Sequence, residues 1–365
     1  MAASYAVSRV LRRAPQFLLQ RRCESTMATL KDEILIMLQP PCSNWSNIIR
    51  DAEKVVGYPT SFMNLRCLLS DEFANMALYL RKLVSNNNMV MQTAKNVLYG
   101  DSKNLQPWGL IILLLAKSVK TASTSQITLK KIEEKQRLLA ELTEIFRTGH
   151  MIHRGIINVP FTKRSKDTES AIFGNKIAIL LGDYLLVTAN AMLSELKNPD
   201  VSYIISLGLK DMSEGQFFGE RDEQNMPIPG SLLGRGCQST MILSKQSHEA
   251  QNYAYHFGCH LGLAWQAATE LQKLTSESKE QFCLASAPVL FALGGNPDLY
   301  KIIDQAKRDV NHVDYEDLKF NILKTDAVEK TRRLYEEHAK KATAYINQIG
   351  DNEPIDMIKK LINTF

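Results

Sequence analysis

Two pairs of histidines stand at separations that place both imidazoles on one helical face. His256 and His260 are four apart, and His150 and His153 are three apart. Two such rings can hold a metal, but neither pair has the rest of a site. No Glu adjoins His256 and no third ligand accompanies the pair, so these read as core or surface histidines. Arg154 follows His153 directly, and a fixed cation there disfavours a metal. Glu141 and Glu144 have cationic neighbours and read as a solvated helix face rather than a metal pair. A phosphate-binding loop needs closely set glycines after a strand, and Gly230, Gly234 and Gly236 have the wrong spacing for either common form. No G-x-S-x-G turn is present for a nucleophilic serine.

The elements that would position these residues are helices. Apolar residues recur at helical spacing over 138–152, 177–192 and 250–271. In the second of these, Ile177, Leu180, Leu181, Tyr184, Leu185 and Met192 form one stripe, interrupted by Thr188. In the third, Ala250, Ala254, Phe257, Leu261, Ala264, Ala268 and Leu271 alternate steps of four and three. No strand series of period two stands out. Breaks rich in Pro, Gly and Asn fall at Pro40-Pro41, 85–88, Gly100-Asp101, 158–170, 225–230, 294–297 and 350–354. The pattern predicts one all-α domain over 27–365 with ten or more helices.

The chain has 365 residues, of which 45% are hydrophobic and 23% charged, which suffices for a large core. Its net charge is +5, and five arginines within the first 23 residues match that excess, so no nucleic-acid partner is expected. The six cysteines at 23, 42, 67, 237, 259 and 283 include no C-x-x-C pair and read as reduced thiols. The longest apolar run, Trp108 to Ala116, is about half of what a membrane span requires, so it reads as a buried helix and no transmembrane segment is expected. Residues 1–26 begin with an Arg-rich, Ser-containing stretch whose first acid is Glu24, the composition of a mitochondrial transit peptide.

Four segments then carry a resemblance. They are Glu144–His153 (EIFRTGHMIH), Phe173–Leu186 (FGNKIAILLGDYLL), Phe257–Gln266 (FGCHLGLAWQ) and Ser286–Leu293 (SAPVLFAL). Each is similar to a conserved stretch of the trans-polyprenyl diphosphate synthases, and they occur in that family's order. The resemblance implies an isoprenoid-synthase-like helical bundle around a central cavity. It also implies departures at the sites that do that family's chemistry. Its first motif, H-D-D-x-x-D, corresponds to His153, Arg154, Gly155, Ile156, Ile157 and Asn158, so all three aspartates are gone. Its second, D-D-x-x-D, falls on Thr269, Glu270 and Lys273, where one carboxylate remains and a cation replaces another.

In that family, magnesium held by these carboxylates stabilises the departing diphosphate as a Lewis acid. Mg²⁺ requires oxygen ligands in near-octahedral geometry, which Arg154, Gly155 and Asn158 cannot supply as anions, and Lys273 repels the ion. The resemblance therefore implies no catalytic and no metal-ligating residue, with Mg expected on a catalytic partner. Candidates for residual diphosphate contact are Lys103, in a degenerate G-K-x-x-R-P motif whose arginine is Gln106, and the basic pair Lys163-Arg164. That pair reads equally as a solvated loop. The K-T pair the family carries in a further helix is absent from 219–232, and the stretch reads as too short for that helix.

This decay is similar to that of one subunit in heteromeric mitochondrial synthases that make the ubiquinone side chain. The implied role is a non-catalytic, regulatory subunit in the mitochondrial matrix or at the inner membrane. It would form a heterotetramer with a catalytic subunit whose product is a nona- or decaprenyl diphosphate. Two other readings stand beside it. One is an active prenyltransferase with ligands relocated to Asp183, Glu270 or Glu214, although Asp183 reads better as a structural pair. The other is a helical isoprenoid-binding protein.

Overall fold

In the computed structural model, residues 44–57, 107–119, 125–154, 156, 166–215, 230–276, 282–304 and 313–364 are described. Among them the regular structure is helical throughout. In chain order the helices are α1 (Asn44–Val56), α2 (Trp108–Ser118), α3 (Gln126–Arg154) and α4 (Lys166–Glu195). There follow α5 (Pro199–Glu214), α6 (Ser231–Leu243), α7 (His248–Thr275), α8 (Ala287–Gly295) and a 3-10 turn at Pro297–Leu299. The last are α9 (Tyr300–Asp304), α10 (Tyr315–Leu323), α11 (Ala327–Ile349) and α12 (Glu353–Thr364).

Local chemistry sets several of these boundaries. Asn198 caps α5 by accepting the Val201 N–H at 3.1 Å, with Pro199 fixing φ at the first helical position. Ser247 caps α7 through the Ala250 N–H at 3.2 Å, and Asp314 caps α10 through the Asp317 N–H at 2.9 Å. The break expected over 158–170 is shorter than that, because α4 already begins at Lys166. The breaks at Gly294–Pro297 and Gly350–Pro354 coincide with the ends of α8 and α11.

The main core gathers side chains from α1, α2, α3, α4, α5, α6, α7, α11 and α12. The helix expected at Trp108–Ala116 lies within it, with Leu110 through Leu115 all buried. Trp45 of α1 meets Trp265 of α7 edge to face at 6.5 Å, an arrangement the ring quadrupoles favour. A second, smaller cluster joins Leu274 and Phe282 to Val289, Leu293, Leu318 and Ile322.

α6 and α7 approach closely through glycines. A Cβ on Gly258 would lie 2.6 Å from the Gly234 Cα, and one on Gly262 would lie 2.6 Å from the Gly230 Cα. Two glycines four apart therefore meet two glycines four apart, and the backbones touch. α6 also packs on α3, so the helices carrying the two motif regions are tied through it.

α4 is a helix, as its spacing predicts. Of the apolar stripe expected on it, only Leu185 is fully enclosed. Leu180 is 55% and Tyr184 38% exposed, and Ile172, Phe173, Ile179 and Val187 are exposed beside them. The segment Ile172–Glu195 is long and apolar enough to cross a membrane, by length and composition alone. Trp108–Ser118 is also apolar but too short for that, and of the apolar window in α4 only 22% is buried.

Candidate functional site

The first motif region ends α3. His153 and Arg154 occupy its last turn, where cations suit the negative end of the helix dipole. Arg154 points to solvent. His153 turns onto α4: its Nε2 lies 3.2 Å from the Ile179 carbonyl and 3.3 Å from the Asp183 carboxylate. The region brings its histidine to a carboxylate on the neighbouring helix, as the structural reading of Asp183 expected. Gly155 and Asn158 lie outside the described residues, as do Lys103, Lys163, Arg164 and residues 216–229 of the shortened stretch.

Just before it on α3 stand Gly149 and His150. Gly149 is a packing residue here, since a Cβ on it would lie 3.2 Å from the Gly182 carbonyl oxygen. His150 is pushed down to about 4 by burial, then by Arg154 and His153.

The second motif region lies near the C-terminal end of α7 and meets a different neighbour. Glu270 is half-buried, and its Oε2 accepts the Ala287 N–H of α8 at 2.8 Å. Its Oε1 accepts from Gln266 Nε2 at 2.9 Å. Ser286, the residue in position to cap α8, makes no side-chain cap bond, so Glu270 provides that cap from another helix. The carboxylate also faces the positive end of the α8 dipole. The Thr269 hydroxyl donates to the Trp265 carbonyl at 2.7 Å, one turn back along its own helix. Lys273 is exposed.

Do these residues fit magnesium? Glu270 has both oxygens engaged by N–H donors, Thr269 donates its proton to backbone, and Arg154 and Lys273 are cations. The donor set does not fit a hard divalent ion. The other acids proposed as relocated ligands are engaged too. Asp183 meets His153, and Glu214 pairs with Lys210 at 3.4 Å. Two recesses, of about 610 and 210 Å³, lie between α11 and α12 and between α2 and α3. Neither includes a motif residue.

One expectation is corrected at Glu144. It is 7% exposed, not part of a solvated face. Its Oε2 accepts the Gly109 N–H at 3.0 Å and so caps α2, and its Oε1 pairs with Arg147 at 3.0 Å. The Arg147 guanidinium lies 5.5 Å from the Trp108 ring centroid. The sequence signal was the apolar company of Glu144, since Leu142, Ile145 and Phe146 are all core residues. Glu141 pairs with Arg137 at 3.0 Å, as a surface acid would. Cys237 and Cys259 are buried free thiols and Cys283 is an exposed one.

The histidines of α7 take part in packing against α11. His256 stacks on Tyr345 with centroids 5.1 Å apart, and His260 Nδ1 lies 2.9 Å from His338 Nδ1. His338 was not singled out in the sequence, because it is 78 residues away from its partner.

Comparison with known proteins agrees with this frame. Residues 88–316 match the family model described as polyprenyl synthetase. The chain is 32% identical over 350 residues to the Homo sapiens protein named all trans-polyprenyl-diphosphate synthase PDSS2, covering 88% of this chain and 87% of that one. The Rattus norvegicus protein of the same name is 34% identical over 277 residues, covering 68% of each. Among solved structures, the Caulobacter crescentus polyprenyl synthase superposes with a TM-score of 0.59 at 16% identity, over 88% of this chain and 97% of that one, which bears on the fold alone. With the family model matched across more than half its length and a full-length relative at this identity, the chain belongs to the polyprenyl synthetase family.

Proposed function

We propose that this chain is the non-catalytic subunit of a heteromeric all-trans polyprenyl diphosphate synthase that supplies the ubiquinone side chain. The carrying observation is the engagement of Glu270. The one carboxylate left in the second motif region caps α8, while Arg154 and Lys273 stand where the family sets metal ligands. The hydrophobic frame around these positions is intact. A chain that keeps the frame and loses the metal cage serves an assembly better than a reaction.

The partner in this reading is a catalytic homologue that carries its own magnesium and binds the isoprenoid diphosphates. It docks on the outward face of α4. A membrane is the poorer occupant, because Lys176 and Asp183 are exposed on the same helix and a span would carry both charges into hydrocarbon. Against another protein they can stay at the polar rim while Leu180, Tyr184 and Val187 are covered. A heterotetramer in the mitochondrial matrix, close to the inner membrane that receives the product, completes the proposal.

The test is to produce the chain alone and together with a catalytic all-trans polyprenyl diphosphate synthase subunit, with isopentenyl diphosphate, an allylic primer and magnesium. The expected result is no turnover alone, and co-purification with product formation together. Turnover by the chain alone would overturn the reading.

A further inference from the structure

His153 survives in a motif whose aspartates are gone, and the structure gives it a task of its own. Its ring lies directly on the backbone of α4 at Gly182, where an added Cβ would sit 2.2 Å from both Cδ2 and Nε2. Gly182 therefore makes the space that the imidazole fills. Two acceptors meet the same nitrogen there, the Ile179 carbonyl at 3.2 Å and Asp183 Oδ1 at 3.3 Å. Nε2 must carry the hydrogen to serve them. One turn back on α3, Gly149 lets the helices close further, against the Gly182 carbonyl and Leu185. The acceptors flank Leu180 and precede Tyr184 and Val187, the outward apolar face of α4.

We infer that His153 is a positioning residue: it clips the end of α3 to α4 and so fixes the rotation at which α4 presents its apolar face to a homologous helical subunit. The inference rests on the partner reading above for the identity of what docks. The clip itself is a property of this chain alone. A helix held only by its buried stripe can rotate by a fraction of a turn at small energetic expense, which would move Leu180 and Val187 out of register. A donor bonded to a backbone carbonyl of that helix removes this freedom.

The test compares the full chain with His153→Gln, which keeps an N–H donor, and His153→Leu, which fills the space over Gly182 without donating. Amide hydrogen exchange over 172–187 is measured on the chain alone, and affinity for the catalytic subunit is measured separately. The expected result is that His153→Leu speeds exchange and weakens association by about tenfold each, on the scale of one lost hydrogen bond, while His153→Gln stays near the parent. Unchanged exchange in His153→Leu would overturn the clip. Faster exchange with unchanged affinity would overturn its link to the docking face. If the parent chain does not associate at all, the partner reading fails, and the exchange arm still decides whether the clip exists.

Discussion

Glu270 Oε2 accepts the backbone N–H of Ala287 at 2.8 Å, which joins the second motif region on α7 to the start of α8. The bond links the helix that enters the main core to the smaller cluster around Val289 and Leu318. A carboxylate in the position of a metal ligand has become a helix cap, and one group cannot do both at full strength.

Replacing Glu270 with Ala removes that cap and leaves the Ala287 N–H without its acceptor. The expected loss is about 1–2 kcal/mol, as for other caps. Thermal unfolding of the two proteins measures it. An unchanged midpoint would mean that water replaces the carboxylate freely.

Gly258→Ala places a methyl group against the Gly234 backbone at 2.6 Å, where no flexible side chain can yield. α6 and α7 must then separate, at about 1–3 kcal/mol, typical of overpacking. Denaturant titration gives the value. Gly294→Ala is the control, because nothing lies within 4 Å of a Cβ there.

Acid should weaken the fold between the ordinary histidine pKa and the lowered ones. Burial, then His338, Lys341 and His256, holds His260 down to about 4, with Glu337 opposing. Burial does the same to His150, also to about 4, and His256 and His338 are lowered. Where the unfolded chain binds protons and the folded one does not, stability rises with pH. Stability is therefore full above about pH 6.5 and falls toward pH 4. His260 and His338 hold one hydrogen between their Nδ1 atoms, so charging both breaks the contact. Melting temperature against pH should fall across this window, less steeply in His338→Asn. Identical slopes would remove the pair from the account.

Val187→Asp puts a charge on the outward face of α4, at a side chain 69% exposed. Folding should be unaffected, since the site is solvated. Association with the catalytic subunit should fall at least about tenfold, because a buried unpaired carboxylate costs more than 1.4 kcal/mol. Circular dichroism and co-purification separate the two effects. Undiminished association would place the interface elsewhere.

The sequence determined the helical class, the courses of α2 and α7, the C-terminal half of α3, and the replacement of the motif aspartates. These are local matters. Helical periodicity is written in spacings of three and four, and a missing carboxylate is visible as a letter. It also carried the resemblance, because four segments in order need no coordinates. Tertiary structure alone decided which way each face turns. Periodicity reported that α4 carries an apolar stripe, not what covers it. Glu144 looked solvated because its acceptor role depends on Gly109, 35 residues away. Gly230 and Gly234 showed only that they were not a phosphate loop, until Gly258 and Gly262 met them. The fate of Glu270 depended on a backbone N–H 17 residues further along, placed by the packing of α8. Pairings of this kind are fixed when helices dock, and no spacing along the chain encodes them.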